Sequence, residues 1–172
     1  MVLHTVGHGT RPIEELLETL VGAGVETLVD VRRYPGSRRN PQFNRDALAA
    51  SLAGAGIGYH HALELGGRLS GEPGEERFPC LRVAAFRSYA ARMGTEAWQA
   101  ALTAALGEPA PCFMCAETPW WRCHRRLIAE LLAARGHEVV HLIGPRQRQA
   151  HRFYDESDVR EGNLYICNEL VA

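Results

Sequence analysis

The sequence predicts a single-domain α/β fold, with a mainly parallel five-stranded sheet and helices on both faces. Three observations carry this prediction. Short apolar runs rich in Val, Leu and Ile alternate with longer stretches of helical periodicity, the pattern of right-handed βαβ crossovers. A chain of 172 residues is the length of one domain with a sizeable core. The chemically capable side chains follow the strands, at the edge where an open α/β sheet binds ligand.

Residues 2–6 read as a short buried strand. A helix over 12–23 follows, with Thr10 as N-cap, Glu14 and Glu15 in its first turn and Gly24 at its end. Residues 26–31 form the second strand, 44–55 a helix stopped at Gly56, and 57–60 the third strand. Two helices over 81–92 and 96–106 come next, the second capped by Thr95. Residues 111–115 are the fourth strand, 122–135 a helix ending at Gly136, and 138–142 the fifth strand. The order implies Rossmann-like layering within residues 1–145. Residues 146–172 read as a polar, irregular tail on the same domain, with one short strand at 164–167. The long loops over 32–43 and 62–80 interrupt the pattern, and loops of that length in an α/β domain tend to carry function.

The chain is 46% hydrophobic and 23% charged with a formal net charge of −1, ordinary for a globular protein and no footprint for extended nucleic acid. It holds no eighteen-residue apolar run, and its N-terminus lacks the basic and apolar segments of a signal peptide, so a cytoplasmic protein with no membrane partner is expected. Five cysteines, an odd number, argue for reduced thiols or ligands rather than a disulfide framework. All nineteen basic residues are arginine. No lysine is therefore available as a Schiff base or P-loop cation, and any phosphate must be held by guanidinium and backbone N–H groups.

The stretch from Phe113 to Arg126 places Cys115, Glu117, Cys123, His124 and three arginines at a strand-to-helix joint. A thiol facing a helix N-terminus and guanidinium groups ionises early. Rhodaneses and cysteine phosphatases share that layout, although the C-x6-R spacing from Cys115 to Arg122 is longer than theirs. On a helix beginning at residue 122, Arg122 and Arg126 share a face while Arg125 points elsewhere. Cys112 and Cys115 form a C-x-x-C along a strand, where residues three apart point to opposite faces, against a redox or metal pair. If a metal is bound, Cys115, Cys123 and His124 are the candidate ligands, with zinc or iron the fitting ions.

The loop after the second strand carries Arg32, Arg33, Arg38 and Arg39, with Tyr34 and Phe43 placed to stack on a base. His8, between Gly7 and Gly9, is a candidate proton-transfer group where backbone approaches ligand closely. The expected catalytic set is Cys115, Glu117 and His8. The expected substrate-binding set is Asp30, Arg32, Tyr34, Arg38, Arg39, Trp120 and Arg126.

The ordered motifs Thr5-Val6-Gly7-His8, Val29-Asp30-Val31-Arg32, Ser37-Arg38-Arg39-Asn40-Pro41-Gln42-Phe43, Leu65-Gly66-Gly67-Arg68, Cys115-Ala116-Glu117 and Cys123-His124-Arg125-Arg126 resemble the family known as domain of unknown function 488, over about residues 3–145. The resemblance implies a bacterial cytoplasmic α/β protein whose signature residues are those named above, without choosing a substrate.

The leading expectation is a cysteine-dependent hydrolase or transferase acting on a phosphate-bearing substrate, a nucleotide or nucleic-acid component. Two alternatives stand beside it: a non-catalytic nucleotide or single-stranded nucleic-acid binding module, and a Cys/His metal protein. No cofactor is required by the residues.

Overall fold

In the computed structural model, which describes residues 1–67 and 73–172, five parallel strands and one antiparallel strand make the main sheet. These are β1 (Val2–Gly7), β2 (Thr27–Asp30), β3 (Gly58–His61), β4 (Pro111–Cys115), β5 (Glu138–Gly144) and β6 (Gln147–Ala150), in the order β3-β2-β4-β1-β5-β6. The helices described are α1 (Ile13–Val21), α2 (Arg45–Gly54), α3 (Ala84–Met93), α4 (Glu96–Leu106) and α5 (Arg125–Ala134). None of them is long and apolar enough to cross a membrane.

Side chains alternate across each strand, and the alternation sorts the apolar residues into two separate cores. Leu3, Val29, Phe113 and Val139 join one cluster with Tyr89, Trp98, Leu127 and Leu131 from α3, α4 and α5. Val6, Leu28, Cys112, Met114 and Leu142 join the other with Leu16 and Leu20 of α1 and Leu48 and Leu52 of α2. Strands buried on both faces explain why the sequence shows near-continuous apolar runs there.

Several expectations are corrected. The sheet has six strands rather than five, because β6 pairs antiparallel with β5. The C-terminal tail is not irregular: β7 (Ser157–Arg160), β8 (Asn163–Ile166) and β9 (Glu169–Leu170) form a small antiparallel sheet that buries Leu164 and Ile166 in the first core. Thr10 is not a cap, since α1 begins at Ile13 with Pro12 in the N-cap position and no side-chain bond there. Thr95 is one, accepting from the Trp98 N–H at 3.4 Å. The helix expected from residue 122 begins at Arg125, after a 3-10 turn over Trp120–Arg122. Finally, Cys80 and Cys167 form a disulfide, 87 residues apart in sequence with Cα atoms 5.7 Å apart, where reduced thiols or ligands were expected rather than a disulfide framework. The β8–β9 turn folds against the loop before α3, a proximity that spacing along the chain cannot reveal. Arg68 of the Leu-Gly-Gly-Arg motif lies outside the described residues.

Candidate active site

The strand order β2-β4-β1 sets three strand ends side by side. His8 N–H donates to Cys115 O at 3.0 Å, Gly9 N–H to Ala116 O at 2.9 Å and Val31 N–H to Met114 O at 2.9 Å. Beyond them opens a cavity of about 1060 Å³ lined by His8, Arg32, Arg33, Tyr34, Arg39, Cys115, Glu117, Trp121, Arg122, Cys123 and His124, with Val83 and Phe86 from the start of α3. The close approach of β1 to the loop after Cys115 requires glycine at position 7, where a Cβ would drive into the Glu117 carbonyl oxygen.

Cys115 ends β4 and is 1% exposed, with its Sγ 3.6 Å from Glu117 O. Burial pushes its thiol up. The neighbouring Cys123 thiol, the Arg125 guanidinium and the Glu117 backbone together outweigh that and bring the pKa down to about 7. Cys123, by contrast, is held well above the ordinary thiol value by burial and by its ionisable neighbour Cys115. Its Sγ–H donates to His124 Nδ1 at 3.4 Å, and His124 Nε2–H donates to Val31 O at 3.0 Å, which sets the tautomer. Burial keeps the His124 ring neutral, with a pKa near 4.

Arg125, expected to point elsewhere, is 1% exposed and turned toward the thiols. One Nη donates to Glu117 O and Thr118 O, both at 3.1 Å, while Nε and the other Nη have no hydrogen-bond partner among the described residues. It ties down the loop after Cys115 and supplies positive charge to it.

His8 stacks on Phe43, ring centroids 4.3 Å apart. Its Nδ1–H donates to Gly9 O at 2.8 Å and its Nε2 accepts from Arg32 at 3.2 Å. Burial lowers its pKa to about 4, so the ring is neutral, and both nitrogens are occupied. Arg32 in turn grips the fully buried Asp30 through two bonds of 2.8 and 2.6 Å and donates to Phe43 O at 2.9 Å. Asp30 therefore holds Arg32 rather than reaching the cavity.

Among the other expected binders, Arg39 and Tyr34 line the cavity. Arg38 borders a separate shallow depression with Pro35, Pro41 and Asn44. Arg126 lies over the Tyr154 ring at 3.1 Å and faces Glu156 at 3.6 Å, so it serves the C-terminal tail. Trp120 is buried, stacked on His141 at 4.2 Å, with its Nε1–H donating to Gln149 Oε1 at 3.2 Å. Its neighbour Trp121, 45% exposed, is the one at the cavity. Phe43 is buried beneath His8 and cannot stack on a ligand. Arg33, Arg122 and Trp121, which stand outside the expected binding set, also line the cavity.

The side chains of Arg33, Arg39 and Arg122 make no ion pair or hydrogen bond with another described residue. Glu117 is the one carboxylate among the lining residues. The cavity is thus cationic. As for a metal, no group of three or more His, Cys, Asp or Glu among the described residues has the arrangement to hold one, Cys115, Cys123 and His124 included. Alkylation of Cys115 is expected to follow its ionisation: about half-maximal near pH 7, at a plateau above about pH 8 and roughly a hundredfold slower at pH 5. Iodoacetamide rates read across that range by mass spectrometry check this, and a midpoint above about 8.5 would exclude an activated thiol.

A family model described as Domain of unknown function DUF488 matches residues 12–132. The matched span includes Asp30, the arginine loop and Cys115–Arg126, and leaves out His8. No curated protein and no solved structure matches the chain.

Proposed function

The chain belongs to the DUF488 family, whose description carries no activity, and from the chemistry of the cavity we propose a cysteine-dependent transferase or hydrolase acting on a phosphate-bearing substrate. The observation that carries this reading is a cysteine lining a cavity whose Arg33, Arg39 and Arg122 guanidinium groups pair with no described residue, and the groups around its thiol draw the pKa down to about 7. A thiolate is the reactive form of cysteine, and an anionic substrate supplies the counter-charge that no described residue gives Arg33, Arg39 and Arg122. Cys115 attacks, Glu117 on the adjoining loop moves the proton of the leaving group, and Arg32 is kept in place by Asp30 and His8. The exposed Tyr34 and Trp121 at the rim favour a nucleotide or nucleic-acid component, since each offers a face for a base. Confinement in a cytoplasmic compartment belongs to the same proposal.

The test uses a panel of nucleoside phosphates, with binding read by calorimetry and turnover by chromatography. Cys115→Ser is expected to bind as the wild type does and to turn nothing over. The double variant Arg39→Ala/Arg122→Ala is expected to bind roughly ten- to a hundredfold more weakly, the loss of one charge-assisted contact or more. Turnover surviving Cys115→Ser would sink the nucleophile role. Unchanged affinity in the arginine variant would sink the anion site. Binding with no turnover by the wild type would favour a non-catalytic module.

A further inference from the structure

Cys123 takes no covalent part in the reaction above, yet it lines the same cavity as Cys115, and each thiol shifts the other's ionisation. The local chain path explains the meeting. After β4 the backbone turns through Trp120–Arg122, and Cys123 is extended (φ −123°, ψ 153°) before α5 begins. That return brings the second thiol to the cavity that the first one lines. Cys123 also has a proton acceptor aimed at it. His124 spends its Nε2–H on Val31 O, so the Nδ1 lone pair faces the Cys123 thiol at 3.4 Å. The ring is walled in, since a Cβ on Gly67 would run into the imidazole. The third free thiol, Cys112, is packed in the core on the opposite face of β4 and has no such neighbours. Two packing thiols need neither a shared cavity nor a base beside one of them.

We propose that Cys115 and Cys123 are the attacking and resolving thiols of a dithiol–disulfide exchange centre that reduces small disulfides bearing anionic groups. This goes beyond the proposed function and rests on its reading of Cys115 as the nucleophile. In the first step the Cys115 thiolate attacks one sulfur of the substrate, the substrate S–S bond breaks, and one thiolate leaves and takes a proton from water. Cys115 is now a neutral mixed disulfide, so the neighbouring charge that held the Cys123 proton is gone. In the second step Cys123 passes its proton to His124 Nδ1 and attacks Cys115 Sγ. The second substrate thiolate leaves and takes that proton. The Cys115–Cys123 disulfide has lost two electrons and the substrate disulfide has gained them. An external dithiol returns the pair to its starting state. Arg33, Arg39 and Arg122 select the anionic substituents.

The experiment mixes reduced, desalted protein with one equivalent of glutathione disulfide, coenzyme A disulfide or bis(2-hydroxyethyl) disulfide. Products are read by peptide mapping, with parallel iodoacetamide labelling at pH 7. Trypsin cuts after Arg122 and so separates the two cysteines, and closure joins the fragment holding Cys115 to residues 123–125. The wild type is expected to close this link. Cys123→Ser is expected to stop at the mixed disulfide on Cys115, and Cys115→Ser to do neither. Both anionic disulfides are expected to react at least about tenfold faster than the hydroxyethyl one, as a single charge-assisted contact would give. A faster coenzyme A disulfide identifies phosphate as the recognised anion, and a faster glutathione disulfide identifies carboxylate. If wild-type Cys115 resists alkylation at pH 7, the nucleophile reading itself fails. If Cys115 is alkylated but its mixed disulfide lasts as long in the wild type as in Cys123→Ser, the resolving role is overturned and the nucleophile reading stands. Equal rates for all three disulfides would overturn the substrate class.

Discussion

Replacing Asp30 with alanine is expected to lower the unfolding free energy by about 3–5 kcal/mol, the cost of leaving one partner of a buried ion pair uncompensated. Asp30 is 0% exposed and accepts from Arg32 N–H at 3.0 Å, from two guanidinium nitrogens at 2.8 and 2.6 Å, and from the Tyr59 hydroxyl at 2.7 Å. Both carboxylate oxygens are used. Burial and the Asp30 charge in turn push the Tyr59 hydroxyl well above its ordinary pKa, so Tyr59 stays a donor. Without the carboxylate, Arg32 has only His8 Nε2 and Phe43 O as partners among the described residues for a charge that is 7% exposed. For a domain of this length the loss corresponds to a fall of roughly 6–20 °C in Tm. Thermal melts of Asp30→Ala beside Asp30→Leu/Arg32→Met settle the mechanism. Removing both charges together should cost less than removing one, because an apolar pair leaves nothing unpaired. A double variant less stable than Asp30→Ala would mean that the pair itself, and not the stranded guanidinium, carries the effect.

The same residues show which parts of this molecule could be read from its sequence. The fourth strand and the helix over 96–106 match β4 and α4 to the residue, because an all-buried strand has no polar positions and Thr95 is a cap with a real bond. Cys115, Arg32, Arg39 and Tyr34 converge as expected, since parallel strands end at one edge and the residues that follow them must meet there. Arg125 turns inward for a definable reason. A helical wheel started at residue 122 places Arg122 and Arg126 together, but the 3-10 turn and the extended Cys123 restart the wheel at Arg125. Arg126 and Glu130, four apart on the true helix, then face the tail, where Glu130 accepts from Tyr154 N–H at 3.1 Å. In the tail the strand expected at 164–167 is β8, anchored by the buried Leu164 and Ile166, whereas β7 was hidden because it turns Asp158, Val159 and Arg160 to solvent. Which of two adjacent aromatics faces inward, Trp120 or Trp121, depends on His141 of β5, a stacking partner distant in sequence.

The site therefore rests on two buried guanidinium groups with opposite circumstances. Arg32 has a carboxylate and two other acceptors, His8 Nε2 and Phe43 O. Arg125 has two carbonyls and no carboxylate partner among the described residues. A buried cation without an anion is unstable unless something nearby ionises to meet it. Cys115 is the group that does so, and Arg125 in turn holds down the carbonyl ends of the loop that covers it.

Arg125→Met is accordingly expected to raise the Cys115 pKa by about one unit or more, cutting its alkylation rate at pH 7 roughly tenfold. The sign follows from the charge: a cation nearby favours the thiolate, so its removal leaves burial to push the thiol up. The pH at half-maximal alkylation should move from about 7 toward the ordinary thiol value, while the plateau rate at high pH stays near that of the wild type. A merely structural role for Arg125 would instead lower the plateau and leave the midpoint in place, because a displaced loop changes access and not ionisation. Arg125→Lys separates the two contributions further. Lysine keeps the charge but cannot reproduce the planar guanidinium that meets Glu117 O and Thr118 O from one nitrogen. Its midpoint should stay closer to the wild type than that of the methionine variant, even where its Tm falls with the lost loop contacts. A midpoint that does not move in either variant would transfer the activation of Cys115 to Cys123 and the Glu117 backbone, the other two groups that favour its thiolate.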